Sequence, residues 1–162
     1  DSDTKSQHLD IEFIARTIKN RYTLGAEFNR AEDNGVESKN NSLGYVKYDH
    51  FFNKKFYGYS NVLLEKDKFK DINLRTALGL GAGYQFVEGE EMNLSGEAGL
   101  SYINEDFIVA PDEGYPTGRW AINFDRFLIK KSLQFFHFHE GFVSFEDTED
   151  ILIRSRTGIA NK

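Results

Sequence analysis

The chain has no cysteine, only two prolines and a single tryptophan among 162 residues. Without cysteine there is no disulfide framework, no thiolate metal site and no thiol nucleophile. Scarce proline leaves long strands uninterrupted, because proline cannot donate to a sheet ladder. Positive charge is also short: 20 Lys and Arg against 26 Asp and Glu give a formal net charge of -6 and a pI near 5.3. That balance excludes nucleic acid as the expected partner. No run of 18 apolar residues occurs, so no membrane-crossing helix is expected. Nor does a signal-peptide pattern open the chain, as would hold for an exported protein whose leader has been removed.

What the chain does have is aromatic and glycine residues, 15 Phe and 8 Tyr beside 14 Gly. With so little proline, this composition suits strands. The clearest stretch is 73–86, N-L-R-T-A-L-G-L-G-A-G-Y-Q-F. Leu74, Thr76, Leu78, Leu80, Ala82, Tyr84 and Phe86 are apolar or β-branched, and they alternate with Arg75, Ala77, Gly79, Gly81, Gly83 and Gln85. A period of two belongs to a strand. A helix here would carry three interior glycines, each costing up to about 1 kcal/mol relative to alanine. The stretch exceeds the usual strand of a soluble domain and approaches the roughly 9 to 11 residues of a strand that crosses a bilayer.

Nine alternating segments follow one another, near 7–18, 21–30, 42–52, 56–65, 72–87, 92–104, 118–129, 132–145 and 151–160. The connections between them read alternately short and long. Lys19-Asn20 is tight, 31–41 is long and polar, 53–55 is short and 66–71 is longer. Residues 88–91 are short again, 105–117 with Pro111 and Pro116 are long, Lys130-Lys131 is short and 146–150 is intermediate. In an up-and-down meander, that order puts short turns at one end and longer loops at the other, the polarity of outer-membrane barrels. No linker or change of composition divides the chain, so a single all-β domain over 1–162 is expected.

The two faces of these segments differ in kind. One presents Leu9, Ile11, Phe13, Tyr22, Leu24, Phe28, Leu94, Leu100, Tyr102, Trp120, Ile122, Phe124, Ile151, Ile153 and Ile159. The other presents Arg16, Glu27, Lys47, Asp49, Glu65, Arg75, Glu97, Asp125, Arg154 and Arg156, together with Asp10, Glu12 and Asn123. A soluble β-core has no place for both signs of charge at strand centres, where an unpaired buried ion costs several kcal/mol. A grease-out, charge-in cylinder does, so these ten residues are expected to line its interior as a plugging network. The face assignment stays open for 56–65 and 132–145, whose apolar residues fall on both sides. The mean hydropathy of -0.54 counts less against a barrel than against helices, because only alternate strand residues meet lipid.

Recognisable chemistry is sparse. Gly79-Leu80-Gly81-Ala82-Gly83 lacks both the spacing and the helix that a phosphate-binding loop requires, so its glycines are expected to clear room for bulky interior neighbours. His137 and His139 share a strand face without a carboxylate to complete a metal set, and an interfacial aromatic band accounts for them better. The acidic runs 146–150, 105–106 and 112–113 are expected to be solvated loops, with a divalent cation that bridges lipid headgroups as the alternative. No nucleophile elbow or acid–base motif occurs. No catalytic residue, cofactor or metal ligand is therefore nominated, and no enzyme activity is expected.

The run Tyr57-Gly58 through Glu65-Lys66-Asp67-Lys68-Phe69, then Arg75, Gly79, Gly81, Gly83 and Tyr84, then Glu97-Ala98-Gly99 and Tyr102, resembles the salt-induced outer-membrane proteins of domain-of-unknown-function family 481. The opening Asp1-Ser2-Asp3-Thr4 is similar to the family's Asn-Ser-Asp-Thr, departing at Asp1. This resemblance implies a bacterial outer-membrane barrel of about twelve strands, with further strands before Asp1 and after Lys162. It implies no activity, substrate or binding residue. The expected role is a narrow or plugged channel or a structural envelope protein, its partners outer-membrane lipid and, if a path conducts, small ions with a mild cation preference. The alternative is a soluble lipocalin-like barrel with the aromatic face turned inward to bind an apolar ligand.

Overall fold

The computed structural model describes residues 4–129 and 132–161. Nine strands run in chain order: β1 (Thr4–Arg16), β2 (Asn20–Asp33), β3 (Val36–Phe51), β4 (Phe56–Asp67), β5 (Ile72–Glu88), β6 (Met92–Phe107), β7 (Glu113–Ile129), β8 (Leu133–Ser144) and β9 (Ile151–Asn161). Each pairs antiparallel with the next in one sheet of order β1 to β9, the meander expected from the alternation. A single 3-10 turn, Lys68–Lys70, links β4 to β5. The Lys130-Lys131 connection and the Asp1-Ser2-Asp3 segment lie outside the described residues.

Apart from β8, which falls just inside its expected bounds, the strands are longer than the sequence pattern suggests, and most of the extra length lies at one end. Residues 31–41, expected as a long loop, continue as β2 and β3 around the two-residue turn Asn34-Gly35, with φ of 51° and 78°. Positive φ at both positions is the geometry an Asn-Gly pair favours in a tight hairpin. Residues 105–117 shorten likewise to a connection over 108–112, with Glu105 in β6 and Pro116 in β7. Proline is accommodated there because the Pro116 carbonyl accepts from Phe145 N at 3.0 Å, beyond the last residue of β8. In an antiparallel ladder the missing N–H would face that same side, so no regular ladder bond is lost. The expected division into a short-turn end and a long-loop end thus becomes turns over 17–19, 52–55 and 89–91 opposite a taller end of extended hairpins.

Register fixes the faces. Directly paired residues share a side, so the pairs Arg21↔Asp49, Asp49↔Tyr59, Tyr59↔Gly81, Gly81↔Gly99 and Gly99↔Arg119 run along one face from β2 to β7. Side chains on this face reach across intervening strands. Lys47 of β3 meets Glu97 of β6, and Arg156 of β9 donates to Asp10 of β1 at 2.8 Å. Such reach exists only on the inside of a bend, so the sheet is curled into a half-barrel with this face concave. Its first and last strands meet through Arg156, without a backbone ladder among the described residues.

The two segments left open now have faces. In β8, Gln134, Phe136, Phe138, Glu140, Phe142 and Ser144 point inward, and Phe135, His137, His139 and Val143 outward. In β4, Tyr57, Tyr59, Asn61, Leu63 and Glu65 point inward. The outer face of β4 reads weakly apolar because Gly58 is covered by the Phe52 ring from the adjoining turn. The inner face is amphiphilic in both strands, which is why parity alone did not orient them.

Candidate functional site: the ionic concave face

An alternating chain of charges crosses the concave face from β2 to β9. Arg21 Nε donates to Asp49 at 2.5 Å, and Lys47 Nζ donates both to Asp49, at 2.5 Å, and to Glu97. Arg119 bridges onward, donating to Glu97 at 2.9 Å and to Glu140 at 2.7 Å. Arg154 closes the chain on Glu140 at 2.9 Å. Asp49 is fully buried, and Glu97, Arg119 and Glu140 are nearly so. Tyr57 donates to the same Glu97 oxygen as Lys47, at 2.9 Å. Asp49, Glu97 and Glu140 therefore have at least two donors each, the condition under which buried charge is tolerated.

Two smaller clusters flank the chain. Arg75 of β5 lies between Glu65 of β4, at 2.9 Å, and Glu105 of β6. Arg156 gathers Asp10 at 2.8 Å, Glu27 at 3.1 Å and Glu12 at 3.6 Å from β1 and β2. All ten predicted interior residues stand on the concave face. Lys47, Asp49, Glu97 and Arg154 belong to the main chain, Glu65 and Arg75 to the second cluster, Glu27 and Arg156 to the third. Arg16 lies at the short-turn rim, over the Phe51 ring at 3.7 Å and 3.4 Å from Glu88. Asp125 accepts from the amides of Asn93 at 3.1 Å and Gln134 at 2.7 Å.

Sequence reasoning missed Arg21, Arg119, Glu140 and Glu105, although strand parity carried the signal for two of them. Arg119 has the parity of Asp125 on β7, and Arg21 that of Glu27 on β2. Glu105 falls in a stretch that reads as a loop, and Glu140 in a segment with apolar residues on both faces.

Glycines make the room these ions need. A Cβ at Gly83 would fall on the Tyr57 ring, and one at Gly81 or Gly99 on Tyr59. Tyr59 thus lies flat over the paired Gly81 and Gly99, with the Arg119 guanidinium 4.8 Å from its ring centre. Beside the ions runs an apolar layer of Leu63, Ala77, Ile103 and Phe142, packed by Leu43, Tyr45, Tyr115 and Leu152. Every strand from β3 to β9 contributes to it, so this layer occupies the middle of the concavity, beside a cavity of about 270 Å³ between Glu27, Leu43, Glu65, Phe138, Arg154 and Arg156.

The convex face is the reverse. Leu24, Val46, Val62, Leu78, Leu80, Leu100 and Ile122 are exposed along its middle. Toward the short-turn end, aromatics pair off: Tyr22 with Tyr48 at 5.2 Å, Phe52 with Phe56 at 5.7 Å, Tyr84 with Phe86 at 5.2 Å and Phe124 with Phe135 at 6.1 Å. Phe28, Tyr102 and Phe145 lie toward the taller end. His137 and His139 are on this face, bonded to Thr157 at 2.7 Å and Ser155 at 2.8 Å. Among the described residues, no group of three or more His, Asp or Glu is arranged to hold a metal and no helix is long and apolar enough to cross a membrane.

No curated protein and no solved structure matches the chain. The family model described as Protein of unknown function, DUF481, matches residues 1–162. Nine consecutive antiparallel strands, charged within the curl and apolar outside it, are thus the form taken here by a chain that belongs to the DUF481 family.

Proposed function

We propose that the chain is a membrane-embedded β-barrel protein of the bacterial outer membrane, with a packed interior and a structural or tightly gated role rather than a catalytic one. The observation that carries this reading is the inversion of faces. A large, continuous exposed apolar surface marks contact with lipid or another apolar partner. Here it covers β1 to β7 and β9, with half-buried Phe135 and Val143 on β8, while Asp49, Glu97, Arg119 and Glu140 are buried on the opposite side. The aromatic pairs at one end of an aliphatic band form the girdle expected at a membrane interface. Strands of 11 to 17 residues exceed what a tilted crossing needs. A closed cylinder of about twelve strands is part of this proposal. A lipocalin-like binder would instead direct its apolar face inward.

Trp120, the single tryptophan, stands mid-strand on the convex side of β7, over Gly141. In vesicles containing phospholipid brominated along its acyl chains, its fluorescence is expected to fall by more than half, with greater quenching by mid-chain bromines than by headgroup-proximal ones. Emission unchanged by brominated lipid would refute the membrane assignment.

Because the apolar layer lies across the concavity, the protein is expected to carry no steady current in planar bilayers. Removing two members in the double variant Ile103→Ala/Phe142→Ala should introduce flickering conductance, with Na⁺ favoured over Cl⁻ given the acidic excess. A large ohmic conductance in the unaltered protein would contradict the packed interior.

A further inference from the structure

One part of the convex face departs from its coat of large side chains. The cross-strand row Leu9, Phe28, Ser42, Lys66 lies beside the row Ile11, Ala26, Gly44, Leu64. Their central members on β2 and β3, Ala26, Ser42 and Gly44, are small. Leu9 and Phe28 rise on one side of this bare strip and Leu64 and Leu74 on the other, enclosing a trough of about 440 Å³. That volume is in the range of roughly 300–1,000 Å³ usual for small-molecule sites.

The floor of the trough differs from the glycine positions inside the curl. A Cβ at Gly44 would meet nothing closer than the Gly25 carbonyl oxygen at 4.0 Å. Gly44 therefore makes room for no neighbour within the protein, and the space faces outward. At the trough's upper end stands Lys66, the last outward residue of β4 and exposed. Three nearby cations are paired: Arg30 with Glu32 and Glu37, Lys68 with Glu37, and Lys70 with Asp67. Lys66 has no ion pair or side-chain hydrogen bond among the described residues. Below it the outward residues are apolar or small; beyond it begin the polar extensions of β2 and β3.

An apolar channel with an unpaired cation at the polar end of the band has the charge and shape complementary to an anionic amphiphile. We propose that the trough binds one acyl chain of an anionic, phosphate-bearing membrane lipid whose phosphate meets Lys66. This inference rests on the membrane reading of the convex face. An ammonium near a lipid surface favours an anionic headgroup about fivefold, and the small residues on the floor let the chain lie against the backbone.

The test is native mass spectrometry of the detergent-solubilised protein, titrated separately with phosphatidylglycerol and phosphatidylcholine. The unaltered protein is expected to retain the first phosphatidylglycerol about fivefold better than phosphatidylcholine. Lys66→Gln should bring that ratio close to one. Gly44→Leu, which fills open space without a clash, should lower retention of both lipids about tenfold, whereas Leu80→Ala on β5 should change neither. Equal retention of the two lipids by the unaltered protein, or unchanged retention by Gly44→Leu, overturns the proposal. Trp120 quenching by brominated lipid, measured on the same samples, separates the two failures. If quenching persists while Gly44→Leu has no effect, the trough alone is wrong; if quenching is absent, the membrane reading falls and takes the trough with it.

Discussion

Replacing Arg119 with alanine is expected to destabilise the fold by about 3–5 kcal/mol, the cost of breaking a buried ion pair by removing one partner. Arg119 is 4% exposed and stands between Glu97 and Glu140. Its loss leaves two carboxylates in a confined space, with Lys47 and Tyr57 on one and Arg154 on the other as remaining donors. The measurement is a urea titration of the purified protein followed by Trp120 fluorescence. A triple variant, Glu97→Gln/Arg119→Met/Glu140→Gln, should recover most of the loss, because replacing a whole buried ionic group with uncharged residues of similar size is often neutral. Arg156→Ala should cost within about 1 kcal/mol, since its cluster is about a quarter exposed and screened by water. If Arg119→Ala were as mild as Arg156→Ala, the main chain would have to be hydrated, not dry.

A larger effect is expected at the facing glycines. A Cβ on Gly81 would fall on the Ala98 carbonyl oxygen and the Gly99 Cα, and one on Gly99 on the Leu80 carbonyl oxygen and the Gly81 Cα. Those are backbone atoms of a paired strand and cannot swing away as a flexible side chain can. Overpacking against mobile neighbours costs about 1–3 kcal/mol; here the ladder between β5 and β6 must part and Tyr59 must leave its position over both residues. Gly81→Val and Gly99→Val are therefore expected to prevent folding, detected as loss of the heat-sensitive gel mobility shift of the refolded protein. Gly44→Ala, facing open space, should refold as the unaltered chain does. Refolding of Gly81→Val with normal stability would show that β5 and β6 are less closely paired than their register indicates.

These two sites also show what the sequence made legible. The period of two in 73–86 revealed both the strand and the glycine face, because β5 is apolar on one side only and its small residues fall on the other. It could not reveal that Gly81 faces Gly99, since cross-strand register depends on the turn at 89–91. The same limit hid the chain of ions. Parity puts Lys47 and Glu97 on one face, but nothing local says that β3 and β6, separated by two strands, curl close enough to touch. Arg119 and Arg21 carry a readable parity. Glu105 was lost because a neighbouring proline and acidic residues suggested a loop, whereas the strand continued as far as Phe107. The Asn34-Gly35 turn was the clearest local signal in the chain, and the polar residues around it disguised two strands as a loop.

The ladder and the ionic chain become available at different moments of assembly. Every backbone pairing is between consecutive strands, so hairpins can zip one after another with short loop closures. The charges cannot follow them. Lys47 finds Glu97 only 50 residues along, and Arg156 finds Asp10 across a separation of 146, contacts that exist only once the ribbon has bent. Interactions absent from the transition state govern how quickly a native protein comes apart rather than how quickly it forms. These ions thus belong to the barrier against opening, and the lifetime of the folded form, more than the speed of its formation, is what they would secure.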